Sequence, residues 1–231
     1  MVESLLVRVT GLMACFSDPS KPAEKKSLSV PTPSALEGLL RSVHGKPEFK
    51  TVIEEVWVHN PVEYITETRR EVKDLGVSSR MSSKNGVTVT VKNPALKPTL
   101  RQYTYLYDVD YTIKFRAVVQ KGGDAHVIKH HRIFQRRVRK GQWFKPPVLG
   151  LSHCYAEVRP PVQGREPNPS LNMAVGMIPF GWFQVQKDTF AEGHTAVAPR
   201  IPIFFPAAVE RGVMAIPTEY YKTTRPDWPL S

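Results

Sequence analysis

The sequence predicts an α+β fold in which two β-α-β units interleave on one antiparallel sheet. Three observations predict it. Several short runs alternate apolar and polar residues at period two. Two other segments repeat their apolar residues at helical spacing. The order of these segments is strand, helix, strand, strand, helix, strand, which is the split β-α-β or ferredoxin-like pattern.

Residues 5–10, LLVRVT, read as the first strand, ending at Gly11. A loop rich in Pro, Ser and Lys follows over residues 17–31. Thr32 suits a helix N-cap and Pro33 the first helical position. Leu36, Leu39, Leu40 and Val43 then give a helix of about three turns, closed by Pro47. Residues 51–58, TVIEEVWV, read as the second strand. A long insertion runs from 61 to 102, where Asn85-Gly86 ahead of VTVTV signals a hairpin. Residues 103–119, rich in Tyr and Val, form a long third strand. A second helix is expected over 125–140. Val127, His131, Phe134 and Val138 fall on one face of it, Lys129, Arg132, Arg136 and Arg139 on another, and Gly141 sits just past its end. HCYAEV at 153–158 is the fourth strand. Residues 159–169, RPPVQGREPNP, read as a linker or long loop. Residues 170–231 hold two apolar stretches, AVGMIPFGWFQV and IPIFFPAAV, and prolines that argue against a long helix, so a small β-rich element is expected there. The expected division is a ferredoxin-like domain over 1–158, carrying the 61–102 insertion, and a C-terminal β-rich annex over 159–231.

With 41% hydrophobic residues in 231, the chain can bury a core, which excludes disorder as its default state. Its net charge of +11 points to a polyanionic partner. The charge is focused. Residues 125–145 hold seven Lys or Arg and no acid, and residues 69–101 hold eight against Glu71 and Asp74. Together these segments carry more than the whole excess, the distribution that binding to a phosphate backbone requires. Cys15 and Cys154 match no zinc spacing and read as reduced thiols of a cytoplasmic protein. Glu3 and Arg8 interrupt any signal-peptide core, and the apolar window at 174–183 is too short to span a bilayer, so no membrane partner is expected.

Two stretches then carry a family resemblance. VRVTGLMACFSDP followed by SVPTPSALEGLLRSV resembles the opening of the fifth Cas protein family, the RAMP subunit of type I CRISPR Cascade complexes. IKHHRIFQRRVRKGQWFKPPVLG resembles the d subtype of type I-C systems, with a Lys-His pair opening a helix and Gly141, Gln142, Phe144, Pro147, Leu149 and Gly150 following it. The likeness covers most of residues 5–155. It implies a ferredoxin-like (RRM/RAMP) domain, a thumb-like insertion at 61–102 and a C-terminal β element. It further implies a subunit that caps the crRNA 5′ handle and cuts the precursor crRNA repeat hairpin without a metal or cofactor. The implied assembly partners are the backbone and large subunits of Cascade, and contact with target DNA near the PAM-proximal end is compatible with it.

Such cleavage needs a base for the 2′-hydroxyl proton, an acid for the leaving 5′-oxygen and a cation for the phosphate. The resemblance places the catalytic pair on Lys129 and His130. His130 is read as the proton-transfer group, since imidazole titrates near neutrality, and Lys129 as the phosphate partner. The family's third position, a Tyr, is His44 here. His44 reads equally as a general base and as a helix-end residue favoured by the dipole. Arg132, Arg136, Arg137, Arg139, Lys140 and Lys145 are expected to contact phosphates, with Arg69, Arg70 and Lys84 in the insertion. The amide of Gly141 is open to the same role or to a plain turn, and Trp143 to base stacking or to core. His131 fits the buried apolar face. Two other functions compete: a Cascade subunit that binds the handle without cutting, and a general RRM-type RNA-binding protein, against which the missing RNP aromatics count.

Overall fold

The computed structural model describes residues 3–18, 25–72, 98–119, 124–184, 200–224 and 228. Strand β1 (Leu5–Ala14) turns Leu5, Val7 and Val9 inward and Leu6, Arg8 and Thr10 outward, as its alternation demands. It runs through Gly11 rather than ending there, because pairing with its neighbour continues to Ala14. After a two-residue strand β2 (Lys25–Lys26), helix α1 (Pro33–Val43) starts where expected. The Thr32 hydroxyl accepts from the Ala35 amide at 3.3 Å, and Pro33 opens the first turn. Strand β3 (Phe49–Val58) follows. Strands β4 (Glu63–Val72) and β5 (Pro98–Val119) form the base of the insertion, paired from Glu63↔Tyr107 to Val72↔Pro98. The Asn85-Gly86 turn and Lys84 lie outside the described residues.

Helix α2 (Asp124–Lys140) ends in a Schellman motif. Gly141 adopts φ +59°, its amide donates to the Val138 carbonyl, and Gln142 donates to Arg137. The fourth strand is only β6 (Glu157–Arg159). Residues 147–156 fold on themselves instead, through Leu149 to Cys154, Cys154 to Leu151 and Ala156 to Pro147, which uses the amides that a longer strand would offer its neighbour.

The sheet order is β6-β1-β5-β3, antiparallel throughout, which is the ferredoxin-like arrangement. α1 and α2 cover one face. Leu36, Leu39, Leu40 and Val43 of α1 and Val127, Phe134 and Val138 of α2 meet Val7, Val9, Ile53, Val56, Ile113 and Phe115 in one core. Each such fully buried side chain contributes roughly 1.5–3 kcal/mol. β5 serves two functions. Its second half pairs with β1 and β3 while its first half pairs with β2 and β4, and Asp108 takes φ 45° at the junction. The C-terminal residues form β7 (Met173–Gln184), β8 (Arg200–Val209), β9 (Val213–Ala215) and the short helix α3 (Glu219–Thr224). β9 extends the main sheet on the outer side of β3.

Candidate active site and RNA interface

The C-terminal end of α1 is closed by the other half of the fold. A helix end leaves its last carbonyls without partners. Here the Ser42 carbonyl accepts from the amides of Phe144 at 2.8 Å and Lys145 at 3.0 Å, and the Val43 carbonyl accepts from the Arg137 guanidinium at 2.8 Å. These bonds fix the turn at 44–48 against α2. Within that turn Gly45 lies flat under Phe144, so that a Cβ there would stand 2.3 Å from the ring.

The cap brings His44 to His130. His44 Nε2 lies 2.8 Å from His130 Nδ1, though the two residues are 86 apart in sequence. Both are buried, and Phe49 packs against both rings. His44 is 1% exposed, and its Nδ1 meets no polar partner among the described residues. Burial pushes the His44 imidazole down to about 4, reinforced by positive charge on His130, Arg137 and Lys46 and opposed by Glu48. Burial also lowers His130, with Lys129, His126 and Lys46 acting in the same direction and Glu48 against them. The outward nitrogen of the pair is His130 Nε2, 3.8 Å from Glu48 Oε1. His131 packs into the core, as its spacing suggests, and its Nε2 is unpartnered among the described residues.

Lys129, next to His130, is exposed. Lys129, Arg132, Arg136, Arg139 and Lys140 line the solvent side of α2, and among the described residues none of them pairs with a carboxylate. Phe134 meets Phe115 of β5 edge-on, which seats the apolar face of α2 on the sheet and turns its cations outward. The opposite face of the sheet is electrostatically closed. Arg8 and Arg165 share Asp110, Lys114 binds Glu55, Arg116 lies by Glu54 and Arg159 binds Glu157. Residues 160–168 cross this face, held by His59, which lies 2.9 Å from the Glu166 carbonyl and 2.8 Å from the Thr112 hydroxyl.

Several expected contacts have other partners. The Gly141 amide is donated to Val138, so Gly141 terminates the helix and offers no free N–H to a phosphate. Arg137 is spent in part on the Val43 carbonyl. Arg69 binds Glu67 at 2.9 Å and lies over the rings of Tyr103 and Tyr105, whereas Arg70 is exposed. Trp143 and Phe144 are exposed beside the α1 cap, and Lys145 sits 5.7 Å over the Phe144 ring. Sequence reasoning missed Glu48. Its one signal is a carboxylate four residues after His44 in a turn otherwise basic.

A split β-α-β sheet with both helices on one face defines a ferredoxin-like protein of the RRM/RAMP type. The family model described as CRISPR-associated protein (Cas_Cas5), in its Cas5d form, matches residues 4–217. The chain is 30% identical over 229 residues to the CRISPR pre-crRNA endoribonuclease Cas5d of Mannheimia succiniciproducens, covering 95% of this chain and 97% of that one. It is also 30% identical over 225 residues to the CRISPR pre-crRNA endoribonuclease Cas5d of Thermus thermophilus, covering 94% and 93%. A crystal structure of a CRISPR-associated protein shares the fold, with TM-score 0.63 at 22% identity over 94% of this chain and 93% of its own. The chain belongs to the Cas5d family of CRISPR-associated proteins.

Proposed function

We propose that this chain is a type I-C Cascade subunit that binds the crRNA 5′ handle and cleaves precursor crRNA at the repeat, without a metal, in the cytoplasm. The observation that carries this reading is the buried His44–His130 pair beside a run of cations on α2 that pair with no carboxylate among the described residues. A helix face with one sign of charge and no internal carboxylate partners is suited to a phosphate backbone. The opposite sheet face, where RRM domains stack RNA bases, is locked by ion pairs and covered by residues 160–168. In this reading RNA runs along the helical side, past Lys129 and His130. His130 transfers a proton, Lys129 offsets charge on the phosphate, and Arg132, Arg136, Arg139, Lys140, Lys145 and Arg70 hold the strand. Trp143 and Phe144 are placed to stack bases next to the cut. The Cascade backbone and large subunits are the assembly partners in this reading, and target DNA passes near the insertion.

The non-cutting alternative is favoured by one observation: His44, which replaces the family Tyr, is sealed from solvent. Incubating the protein with its cognate repeat hairpin RNA in EDTA decides between them. The nuclease reading expects a single cut that disappears in His130→Ala with binding retained. Tight binding with no cut by the wild type establishes the alternative.

A further inference from the structure

Metal-free cleavage needs two proton-transfer groups at one phosphate, and the His44–His130 pair exposes only one nitrogen. His44 Nε2 is taken by His130 and its Nδ1 is enclosed, so His44 has no atom that reaches a 2′-hydroxyl. The carboxylate beside the outward nitrogen His130 Nε2 is that of Glu48. We propose that Glu48 is the proton acceptor of the cleavage reaction, with His130 as the proton donor and His44 as the residue that positions His130; this rests on the endoribonuclease reading above.

The geometry supports these roles. Glu48 projects from the turn joining α1 to β3, and its side chain is 46% exposed, so it reaches a bound strand. Its separation of 3.8 Å from His130 Nε2 is too long for a hydrogen bond, so the two groups can address different oxygens of one phosphodiester. The carboxylate also selects a tautomer. It favours N–H over a lone pair at His130 Nε2. In the imidazolium that the reaction uses, His130 Nδ1–H donates to His44 Nε2, which holds the ring with its Nε2–H outward. Among the described residues the other groups acting on His130 and Glu48 are cationic or neutral: Lys46 on the same turn, His126 and Lys129 on α2, and the rings of Phe49 and Phe134. Glu48 is therefore held ionised. A hydrogen bond from its own backbone amide acts first, with His130, Lys46 and His44 adding to it.

In the reaction the 2′-oxygen bonds to phosphorus as its proton passes to a Glu48 carboxylate oxygen. The bond from phosphorus to the 5′-oxygen breaks, and that oxygen takes the Nε2 proton of the His130 imidazolium. The products are a 2′,3′-cyclic phosphate and a 5′-hydroxyl end. Glu48 is left protonated and His130 neutral, and proton exchange between them and solvent restores both.

Single-turnover cleavage of the cognate repeat hairpin RNA tests the assignment, with a second substrate whose leaving 5′-oxygen is replaced by sulfur and so needs no proton. Glu48→Gln is expected to slow cleavage of the normal RNA about 100-fold or more, a typical general-base contribution. It should leave binding to the 2′-deoxy analogue within about threefold and remove the acid limb of the pH profile. The sulfur substrate should rescue His130→Ala but not Glu48→Gln. Cleavage by Glu48→Gln near the wild-type rate, or rescue of that variant by sulfur, overturns the assignment while leaving the nuclease reading intact. A wild type that binds but never cuts overturns both.

Discussion

His44 shows what burial does to one titratable group. Its ring packs against aromatic rings and, among the described residues, pairs only with another histidine, so burial makes the folded chain resist a proton that the unfolded chain accepts. Its folded value of about 4 lies below the ordinary 6.5. Above pH 6.5 neither state is protonated there and the group is neutral to stability. As pH falls below 6.5 the unfolded state gains a proton first, and stability drops until about pH 4. The full shift corresponds to about 3 kcal/mol. Melting temperature is therefore expected to fall between pH 6.5 and 4, and to fall less steeply in His44→Phe than in the wild type. A slope unchanged by that substitution would mean that His44 is not the group responsible. Gly150 carries a different constraint. It adopts φ +87°, and a Cβ there would stand 1.8 Å from the Cys15 carbonyl oxygen. Gly150→Ala combines a left-handed backbone with a backbone clash, so denaturant unfolding should report destabilisation of about 2 kcal/mol or more. The nearest atoms that Gly45→Ala meets belong to the exposed Phe144 ring, which can swing aside. Its stability change should stay below about 1 kcal/mol.

Elements decide where charge is usable. α2 carries two faces at helical spacing, one packed on Phe115 and one holding cations with no carboxylate partners among the described residues. The sheet strands carry charges of both signs that neutralise one another, across strands for Arg8–Asp110 and Lys114–Glu55 and along β6 for Arg159–Glu157. Replacing Arg132, Arg136 and Arg139 together by Gln should weaken RNA binding and flatten its dependence on salt. The slope of log K against log salt should shrink by about 0.7 for each phosphate that is no longer neutralised, as for a single strand. Neutralising Lys114 on the sheet should leave that slope unchanged. Binding titrations at several salt concentrations measure both. The elements themselves were largely legible in the sequence. Thr32 and Pro33 announce α1, and Gly141 announces the end of α2, because caps are local chemistry. β6 was not. HCYAEV has strand composition, yet most of it folds on itself, because the choice between local turn and sheet edge depends on what lies alongside.

At the scale of the molecule, the C-terminal residues are fastened to the first sheet at an irregularity. β3 slips register between Ile53 and Glu55, and the Ile53 amide is satisfied by the hydroxyl of Tyr221, which accepts at 2.9 Å. Tyr221 lies against Phe180 and Trp228, so the aromatic cluster of β7, β8 and α3 is tied to the bulge. Tyr221→Phe keeps the ring but leaves a buried N–H without a partner, and should cost about 1–3 kcal/mol by chemical unfolding. An effect near zero would mean that water replaces the hydroxyl and that the ring packing alone holds the segment. The sequence pointed to a small β-rich element in this region but not to its anchor, because the bond joins residues 168 apart.

Short windows of sequence were enough for the helices, the principal strands, their ferredoxin-like order and the two concentrations of charge. All of these follow from spacing, capping and composition among near neighbours. Which histidines meet, which cations stay free and that Glu48 stands beside His130 were settled only by the folded chain. Those outcomes depend on how α2 crosses the end of α1, a geometry fixed by hydrogen bonds such as Arg137 to Val43 and Phe144 to Ser42, between residues that no local pattern connects.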